Sequence, residues 1–287
     1  MQILSIQSAV AYGHVGNSAA VFPLQRLGHE VLPVNTVNFS NHTGYGAWRG
    51  PVLAGDDVRE VLLGIEERGA FAAIDVVLSG YQGSPEIAAV IGDAVSRVKQ
   101  ANPAAVYACD PVMGNAGSGC FVDAALPPLI RDHVVPRADL VTPNQFELGE
   151  LTGRTLTGGT PPPLADVLDA AAALRATGPA TVLVTSVECD AVADSEIAML
   201  AVTDAGAWRV RTPRLPIKAN GSGDVTAALF AAHLTASGDA ADALARTASS
   251  VFDLLQNTLA ARSRELLLVE SQRTYAEPRM QFTPERL

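Results

Sequence analysis

The segment KANGSGDVTAALF, residues 218–230, places two glycines, a serine and an aspartate directly before a run of strong helix formers. If a helix begins near Gly223, the backbone N–H groups of Gly221, Ser222 and Gly223 have no partner inside that helix. Glycine removes side-chain bulk, so an anion can approach these amides closely. The segment therefore predicts an anion site at a helix N-terminus. An ordinary loop with a capping aspartate is the alternative interpretation.

Asp224 directly follows the predicted anion site. A bound phosphate would repel a carboxylate at this position. We therefore interpret Asp224 as a group that contacts the hydroxyl attacking the phosphate. An aspartate with the expected low pKa would orient that hydroxyl and accept its proton late, without acting as a strong base.

Apolar, β-branched segments alternate with amphipathic helical stretches along the chain. The seven predicted strands are ILSIQS, EVLPVNTVNF, AIDVVLSG, AAVYACD, ADLVTPN, ATVLVTS and EIAMLAVT. Strand and helix follow one another in turn, which predicts an α/β fold with a central, mostly parallel β-sheet and helices on both faces. The sequence shows neither a typical interdomain linker nor an internal repeat, so residues 1–287 are predicted to form a single domain.

The composition restricts the possible partners. A formal net charge of −10 disfavours nucleic acid, although a helix N-terminus and a metal ion can still hold a small phosphorylated ligand. No apolar run is long enough to cross a bilayer, and MQILSIQS has no basic leader, so we expect no membrane association and a cytoplasmic location. The three cysteines lack CxxC spacing, which argues against a disulfide framework or a zinc knuckle.

Two further motifs follow predicted strands, where ligands of parallel sheets gather. In CDPVMGNAGSG, Asp110 is placed to hold Mg²⁺ directly or through water, and a strand-end turn residue is the alternative. In TPNQFELGEL, Asn144 and Glu147 lie one helical turn apart. They predict either a capping box or a pair that faces metal-bound phosphates.

One loop concentrates aromatic side chains in a chain that has few of them. Phe39, Tyr45 and Trp48 cluster there with His42. An aromatic and apolar sandwich suits a flat heteroaromatic ring, so we interpret the loop as part of a binding site. A flap that merely packs on its neighbour is the alternative.

NGSGD together with NQFE resembles the ribokinase-like superfamily of small-molecule kinases, and the N-terminal third narrows the resemblance. IQSAVAYGHVGNSAAVFPLQRLGHEVLPVNTVNFSNHTGYGAW, then LSGYQGS and CDPVMG, is similar to the pyridoxal kinase family, nearest its bacterial PdxY branch. The similarity covers nearly the whole chain. It implies a three-layer ribokinase-like fold, a homodimer, and Mg-ATP-dependent transfer of the γ-phosphoryl group to the 5′-hydroxyl of pyridoxal in vitamin B6 salvage.

The resemblance also implies roles for individual residues, with Asp224 as the base and Gly221 and Gly223 in the anion hole. Asp110 and Glu147 would face the metal and the phosphates. The ATP side would comprise Asp110, Thr142, Asn144, Glu147, Thr185, Thr212, Pro213, Arg214, Leu215 and Ser222. Threonines such as Thr142 and Thr185 help some members to bind a monovalent cation, so K⁺ is a further candidate. The vitamin side would comprise Ser8 at the pyridine nitrogen and Val15, Phe39, His42, Thr43, Trp48 and Tyr81 around the ring.

The chain departs from the family pattern at three positions. Asn115 stands where some members carry an aspartate, and Thr185 where many PdxY-like chains carry a lysine. Gly44 replaces a glutamine beside the substrate, which removes a contact. Cys120, in the glycine-rich loop after Asp110, suggests a reversible hemithioacetal with the substrate aldehyde, and a small residue leading into a strand is the alternative.

Two other functions remain open from the sequence. A hydroxymethylpyrimidine kinase would share the C-terminal phosphate motifs. A pyridoxal-binding carrier with slow or no turnover would fit the departures at Asn115 and Gly44, but a carrier has no need of Asp224 beside an anion hole.

Overall fold

A computed structural model describes residues 1–287 and centres on a nine-stranded sheet. In chain order the strands are β1 (Gln2–Tyr12), β2 (Glu30–Asn41), β3 (Val76–Ser79), β4 (Val106–Cys109), β5 (Gly114–Asn115), β6 (Gly119–Cys120), β7 (Leu140–Val141), β8 (Thr181–Val187), β9 (Glu196–Thr203), β10 (Gly206–Pro213) and β11 (Glu285–Arg286). The sheet order is β11-β10-β9-β8-β7-β4-β3-β1-β2, and β5 pairs with β6 in a separate hairpin.

The helices are α1 (Asn17–Arg26), α2 (Gly55–Glu67), α3 (Pro85–Ala101), α4 (Leu126–Leu129), α5 (Gln145–Thr152), α6 (Leu164–Arg175), α7 (Ser222–Ser237) and α8 (Ala240–Ala260). Neighbouring residues on a strand serve opposite layers. Ile3 packs into a cluster with residues of α1, α7 and α8, whereas Leu4 packs with residues of α2, α3 and α6. The three-layer fold predicted from the sequence is therefore confirmed. None of these helices is both long and apolar enough to traverse a bilayer.

All seven predicted strands form, and the pairs that connect β2, β1, β3, β4, β7 and β8 are parallel. The sequence does not predict β10 or β11. Both extend the sheet beyond β9 through antiparallel pairs, so the parallel part ends at β8. As a result Thr212 and Pro213 end a strand, and Arg214 and Leu215 follow it directly.

After the edge strand β2 the chain turns and runs back alongside β2. The Asn38 N–H donates to the Pro51 carbonyl at 3.0 Å, and the Ser40 N–H donates to the Arg49 carbonyl at 2.7 Å. A single 3₁₀ turn, Thr43–Tyr45, forms the tip. We call residues 41–50 the flap.

Glycines bring the loop after β1 against the start of α7. Gly221 has a φ of 87°, and a Cβ built on it would lie 1.8 Å from the His14 carbonyl oxygen. Gly16 has a φ of 53°, and its Cβ would lie 2.3 Å from the Ser8 Oγ. A side chain at Gly221 would push α7 away from the loop after β1, and one at Gly16 would push that loop away from β1 itself.

We predict that Gly221→Ala lowers the free energy of unfolding by about 1–3 kcal/mol, because it combines a left-handed backbone with a backbone clash. Gly223→Ala is the matched control, since no atom lies within 4 Å of its added Cβ. Thermal unfolding should show a loss for Gly221→Ala and none for Gly223→Ala. Equal melting temperatures for the two variants would contradict this packing.

Candidate active site

A cavity of about 1260 Å³ opens at the carboxyl ends of the parallel strands. The flap, the loop between β5 and β6, the segment before α6 and the N-terminus of α7 surround it. The predicted residues that line this cavity are His42, Thr43, Gly44, Asn144, Thr185, Thr212, Pro213, Arg214, Leu215, Ser222 and Gly223. Its volume accommodates a nucleotide-sized ligand.

The N-terminus of α7 is open. Gly221 is the N-cap in a left-handed conformation, and no side chain caps the helix. The first amides of α7 are therefore available to an anion, and Ser222 and Gly223 reach the cavity wall. This geometry favours the anion-site interpretation over a capping aspartate.

Asp224, in the first turn of α7, is half-buried. Burial raises the pKa of its carboxyl to about 6, even though the Gly16 N–H and its own N–H donate to the ionised form. A carboxylate whose pKa lies near neutrality accepts a proton more readily than an ordinary aspartate does.

Two further carboxylates are buried nearby. Burial, with the charges of Glu147 and Asp224, raises the pKa of Asp110 well above its usual value. Burial likewise raises the pKa of Glu147 to about 7, although three backbone N–H groups favour its charged form. The charge of Asp224 also contributes to the raised pKa of Glu147, so Asp110 and Glu147 carry negative charge that a cation would stabilise.

Of the two roles predicted for Glu147, the structure shows the one in a capping box. Glu147 forms the capping box, in which its Oε2 accepts from the Asn144 N–H at 2.9 Å and its N–H donates to Asn144 Oδ1 at 3.0 Å. Its Oε1 accepts from the Met113 N–H at 2.9 Å. Because both oxygens are already used, Glu147 suits contact with a metal through water.

The Asp110 carboxylate is better able than that of Glu147 to bind a metal directly. It follows β4 directly and accepts a hydrogen bond from the Thr142 hydroxyl at its Oδ1, at 3.1 Å. Mg²⁺ in nucleotide sites commonly keeps several waters and binds one or two carboxylates plus substrate phosphates. The residues present fit that pattern, with Asp110 as the direct ligand and Glu147 behind it.

The residues predicted for the vitamin side lie near the ends of β1, β2 and β3, and most do not line the large cavity. Ser8 and Val15 are buried. The Phe39 and Trp48 rings are tilted against each other with centroids 6.2 Å apart. Tyr81 follows β3 and is half-buried.

His42 opens the flap turn and reaches the cavity. Its Nδ1 accepts the Gly44 N–H at 3.0 Å. Burial lowers the pKa of His42, which keeps the ring neutral and preserves this acceptor. The missing side chain at Gly44 matters here, because a Cβ would lie 2.8 Å from that nitrogen.

Two features lie on the predicted nucleotide side, a bend in β8 and an arginine that makes three hydrogen bonds. β8 changes register between Val184 and Val187, and Ser186 adopts a φ of 54°. The Arg214 guanidinium donates to Glu188 Oε1 at 2.9 Å and to the carbonyls of Asp194 and Glu196. Arg214 therefore holds the strand ends together, and its donors are not directed at a phosphate.

Cys120 is exposed on β6. Burial of the thiol and the charges of Glu150 and Glu147 raise its pKa. The thiolate is the form that adds to an aldehyde, so this environment makes the addition slower.

The sequence does not predict three residues that shape this site. The Gly16 N–H contacts Asp224, and the second glycine of YGHVGN is its only signal. Gln145 donates to the carbonyls of Leu156 and Glu188 and thereby fixes two cavity walls. Glu265, 41 residues beyond Asp224 in the sequence, contacts the flap and has no local signal.

We predict that Asp224→Asn raises the melting temperature above pH 6. A carboxyl whose folded pKa exceeds its unfolded value contributes stability below the unfolded pKa and loses it as pH rises through about 6. Asparagine carries no such loss, so the gain should shrink towards pH 4. Thermal unfolding from pH 4 to 8 measures it.

Asp57→Asn is the matched control, because Asp57 also lies in a first helical turn but is exposed. Its loss removes a favourable helix-dipole interaction and should not raise stability. A pH-independent difference between wild type and Asp224→Asn would contradict the burial argument.

Comparisons with known proteins place the chain in a family. The family model described as phosphomethylpyrimidine kinase matches residues 71–266. Pyridoxal kinase PdxY of Leifsonia xyli is 67% identical over 287 residues, which is 100% of both chains. Pyridoxal kinase PdxY of Corynebacterium diphtheriae is 62% identical, again over 100% of both chains.

Comparison of the fold with solved structures identifies the same family. Pyridoxal kinase from Leishmania donovani, solved with ADP and ginkgotoxin, superimposes with a TM-score of 0.90 at 28% identity, covering 100% of this chain and 99% of that one. The family resemblance found in the sequence motifs is thus confirmed over the full length. The chain belongs to the pyridoxal kinase family.

Proposed function

We propose that this protein is a pyridoxal kinase that transfers the γ-phosphoryl group of ATP to the 5′-hydroxyl of pyridoxal, giving pyridoxal 5′-phosphate. The observation that carries the proposal is the placement of Asp224, with a raised pKa, at the uncapped N-terminus of α7 beside a cavity of nucleotide size. The full-length relatives named pyridoxal kinase support the choice of acceptor.

The chain's own residues supply positioning and charge stabilisation, which dominate phosphoryl transfer. Amides of Gly221, Ser222 and Gly223 hold the transferring phosphoryl group. Asp224 accepts the hydrogen of the substrate hydroxyl, aligns its oxygen and takes the proton as the new bond forms. The flap turn, through His42 and Thr43, covers the acceptor side and excludes water that would otherwise hydrolyse ATP.

The proposal of a bound cation rests on the buried carboxylates of Asp110 and Glu147. Mg²⁺ would be held by Asp110 directly and by Glu147 through water, and it would neutralise charge on the phosphates. For K⁺ the support is the bend in β8, where Thr185 lines the cavity and Ser186 takes a left-handed conformation. Thr142 and Thr185 remain the residues proposed for that ion.

The central test is steady-state formation of pyridoxal 5′-phosphate from pyridoxal and Mg-ATP. We expect turnover by the wild type and a loss of at least about a hundredfold in Asp224→Ala, since one group serves both orientation and proton acceptance. kcat/KM should fall as pH drops through about 6, because only the ionised Asp224 accepts the proton. Equal turnover in Asp224→Ala would contradict its role.

Two alternatives are decided in the same assay. The matching family model is described as phosphomethylpyrimidine kinase, so the hydroxymethylpyrimidine alcohol is run as a parallel acceptor. Phosphorylation of that alcohol without activity on pyridoxal would establish the pyrimidine kinase. Tight pyridoxal binding by a wild type without turnover would establish the carrier.

Cys120 provides a separate prediction about the substrate aldehyde. If its thiol adds to pyridoxal, Cys120→Ala should abolish the absorbance change of the hemithioacetal and weaken pyridoxal binding, while pyridoxine, which has no aldehyde, binds unchanged. The buried Cys109→Ala is the control for a thiol out of reach. If pyridoxal shows the same absorbance with Cys120→Ala as with the wild type, the adduct at Cys120 is excluded.

The remaining parts of the proposal concern the oligomeric state of the enzyme and its location in the cell. The family resemblance supports a homodimer, and a mass in solution near that of one 29.8 kDa chain would contradict it. We place the reaction in the cytoplasm, where its co-substrate ATP is made. All three cysteines are free thiols in the fold, which agrees with a reducing compartment.

A further inference from the structure

The segment after α8 returns to the active-site edge of the sheet and places Glu265 between two loops from the other end of the chain. Glu265 Oε2 accepts the His14 N–H at 3.1 Å. Glu265 Oε1 accepts the hydroxyl of Tyr45, at the end of the flap turn. One carboxylate thus connects the flap with the loop after β1.

The position of Glu265 is fixed from several sides. Ser263 Oγ donates to the Glu265 carbonyl at 2.6 Å and accepts the Glu265 N–H at 3.2 Å. The next residue, Leu266, is buried with residues of α1, α7 and α8. At Gly13, whose φ is 88°, a Cβ would lie 2.2 Å from Glu265 Oε2, so the carboxylate rests on a bare backbone.

Tyr45 is held in the same place by its ring. The Arg264 guanidinium lies 4.6 Å above the ring centroid, and Tyr12 packs edge-on with centroids 6.1 Å apart. The charged groups that face the Tyr45 hydroxyl are therefore Glu265 and Arg264. The two residues before Tyr45, Thr43 and Gly44, line the cavity.

The loop held by Glu265 also contacts the proposed base. His14 lies two residues before Gly16, whose backbone N–H favours the ionised form of Asp224 and so lowers the pKa of that carboxyl against the effect of burial. The His14 carbonyl packs on Gly221 at the N-terminus of α7. A displacement of this loop would therefore reach the base and the anion hole together.

We propose that Glu265 is a positioning residue that, with Tyr45, couples the closed flap to the loop that orients Asp224. Glu265 and Tyr45 form one latch and not two separate supports. This inference rests on the proposed function for its kinetic consequences, and on the contacts alone for its structural ones.

The kinetic test compares Glu265→Gln, Tyr45→Phe and the double variant. Tyr45→Phe removes the hydrogen bond to the carboxylate, and Glu265→Gln removes the charge from both bonds and replaces one acceptor oxygen by an NH2 group. Each change should raise the KM for pyridoxal about tenfold, the size expected for one charge-assisted hydrogen bond. ADP release should exceed pyridoxal 5′-phosphate formation, because an open flap admits water. The double variant should be no worse than the worse single variant.

Two matched controls separate the latch from general damage. Glu270→Gln changes an exposed glutamate on the same segment, and Tyr12→Phe removes a hydroxyl without a hydrogen-bond partner from the ring that packs on Tyr45. Both should keep the wild-type KM and a ratio of ADP to product near one. A wild-type KM and ratio in Glu265→Gln or Tyr45→Phe, or independent effects that multiply in the double variant, would overturn the latch.

Hydrogen exchange tests the contacts without turnover. In Glu265→Gln the amides of residues 13–16 and of residues 42–50 should lose protection together, whereas Glu270→Gln should leave both segments as in the wild type. Unchanged protection in Glu265→Gln would overturn the latch even if the kinase is active. If the wild type phosphorylates neither acceptor but Glu265→Gln shows the paired loss of protection, the proposed function fails and the latch stands.

Discussion

The contact between the loop after β1 and the N-terminus of α7 determines where the chemistry can occur. Gly221 lies so close to the His14 carbonyl that only a glycine fits, and the Gly16 N–H reaches the carboxylate of Asp224. Two segments more than 200 residues apart in sequence thereby share one small region. The loop after β1, the proposed anion hole and the proposed base are held in a fixed relation by backbone atoms, which tolerate little side-chain variation.

The carboxylates proposed for function lower the stability of the folded state. Asp110 and Glu147 are buried and Asp224 is half-buried, and burial raises the pKa of each. The charge of Asp224 raises the pKa of the other two further. Without a cation these charges destabilise the folded state. Bound Mg²⁺ and nucleotide would relieve the repulsion, so ligand binding and folding stability are linked in this protein.

The sequence predicted the parts of the site that depend on local patterns. Apolar segments identified the parallel strands, and the polar residues that follow them, such as Asp110 and Asn144, lie at one edge of the sheet as expected. Local pattern also predicted the open helix start at Gly221.

Contacts distant in the sequence could not be predicted in this way. Arg214 had no local signal for its bonds to Glu188 and two carbonyls, and Glu265 had none for its bond to Tyr45. β10 was missed although its arginines alternate with Trp208 and Val210 as in a half-buried strand, and nothing in the sequence indicated that Arg209 is buried against Glu285 of β11. Such features depend on which segments the folded chain brings together.

The flap hairpin has a consequence for how acceptor choice can change. Its returning segment, residues 49–51, is attached to β2 through main-chain bonds, Asn38 to Pro51 and Ser40 to Arg49, which do not depend on side-chain identity. It lies before residue 71, where the family-wide phosphomethylpyrimidine kinase match begins, whereas Asp110, Glu147 and Asp224 lie inside that match. Under the proposed roles, the flap and the carboxylates of phosphoryl transfer thus lie in separate stretches of the chain, whereas Tyr81 and Cys120 of the acceptor side lie inside the match. A change of the flap can therefore alter the acceptor side without touching Asp110, Glu147 or Asp224.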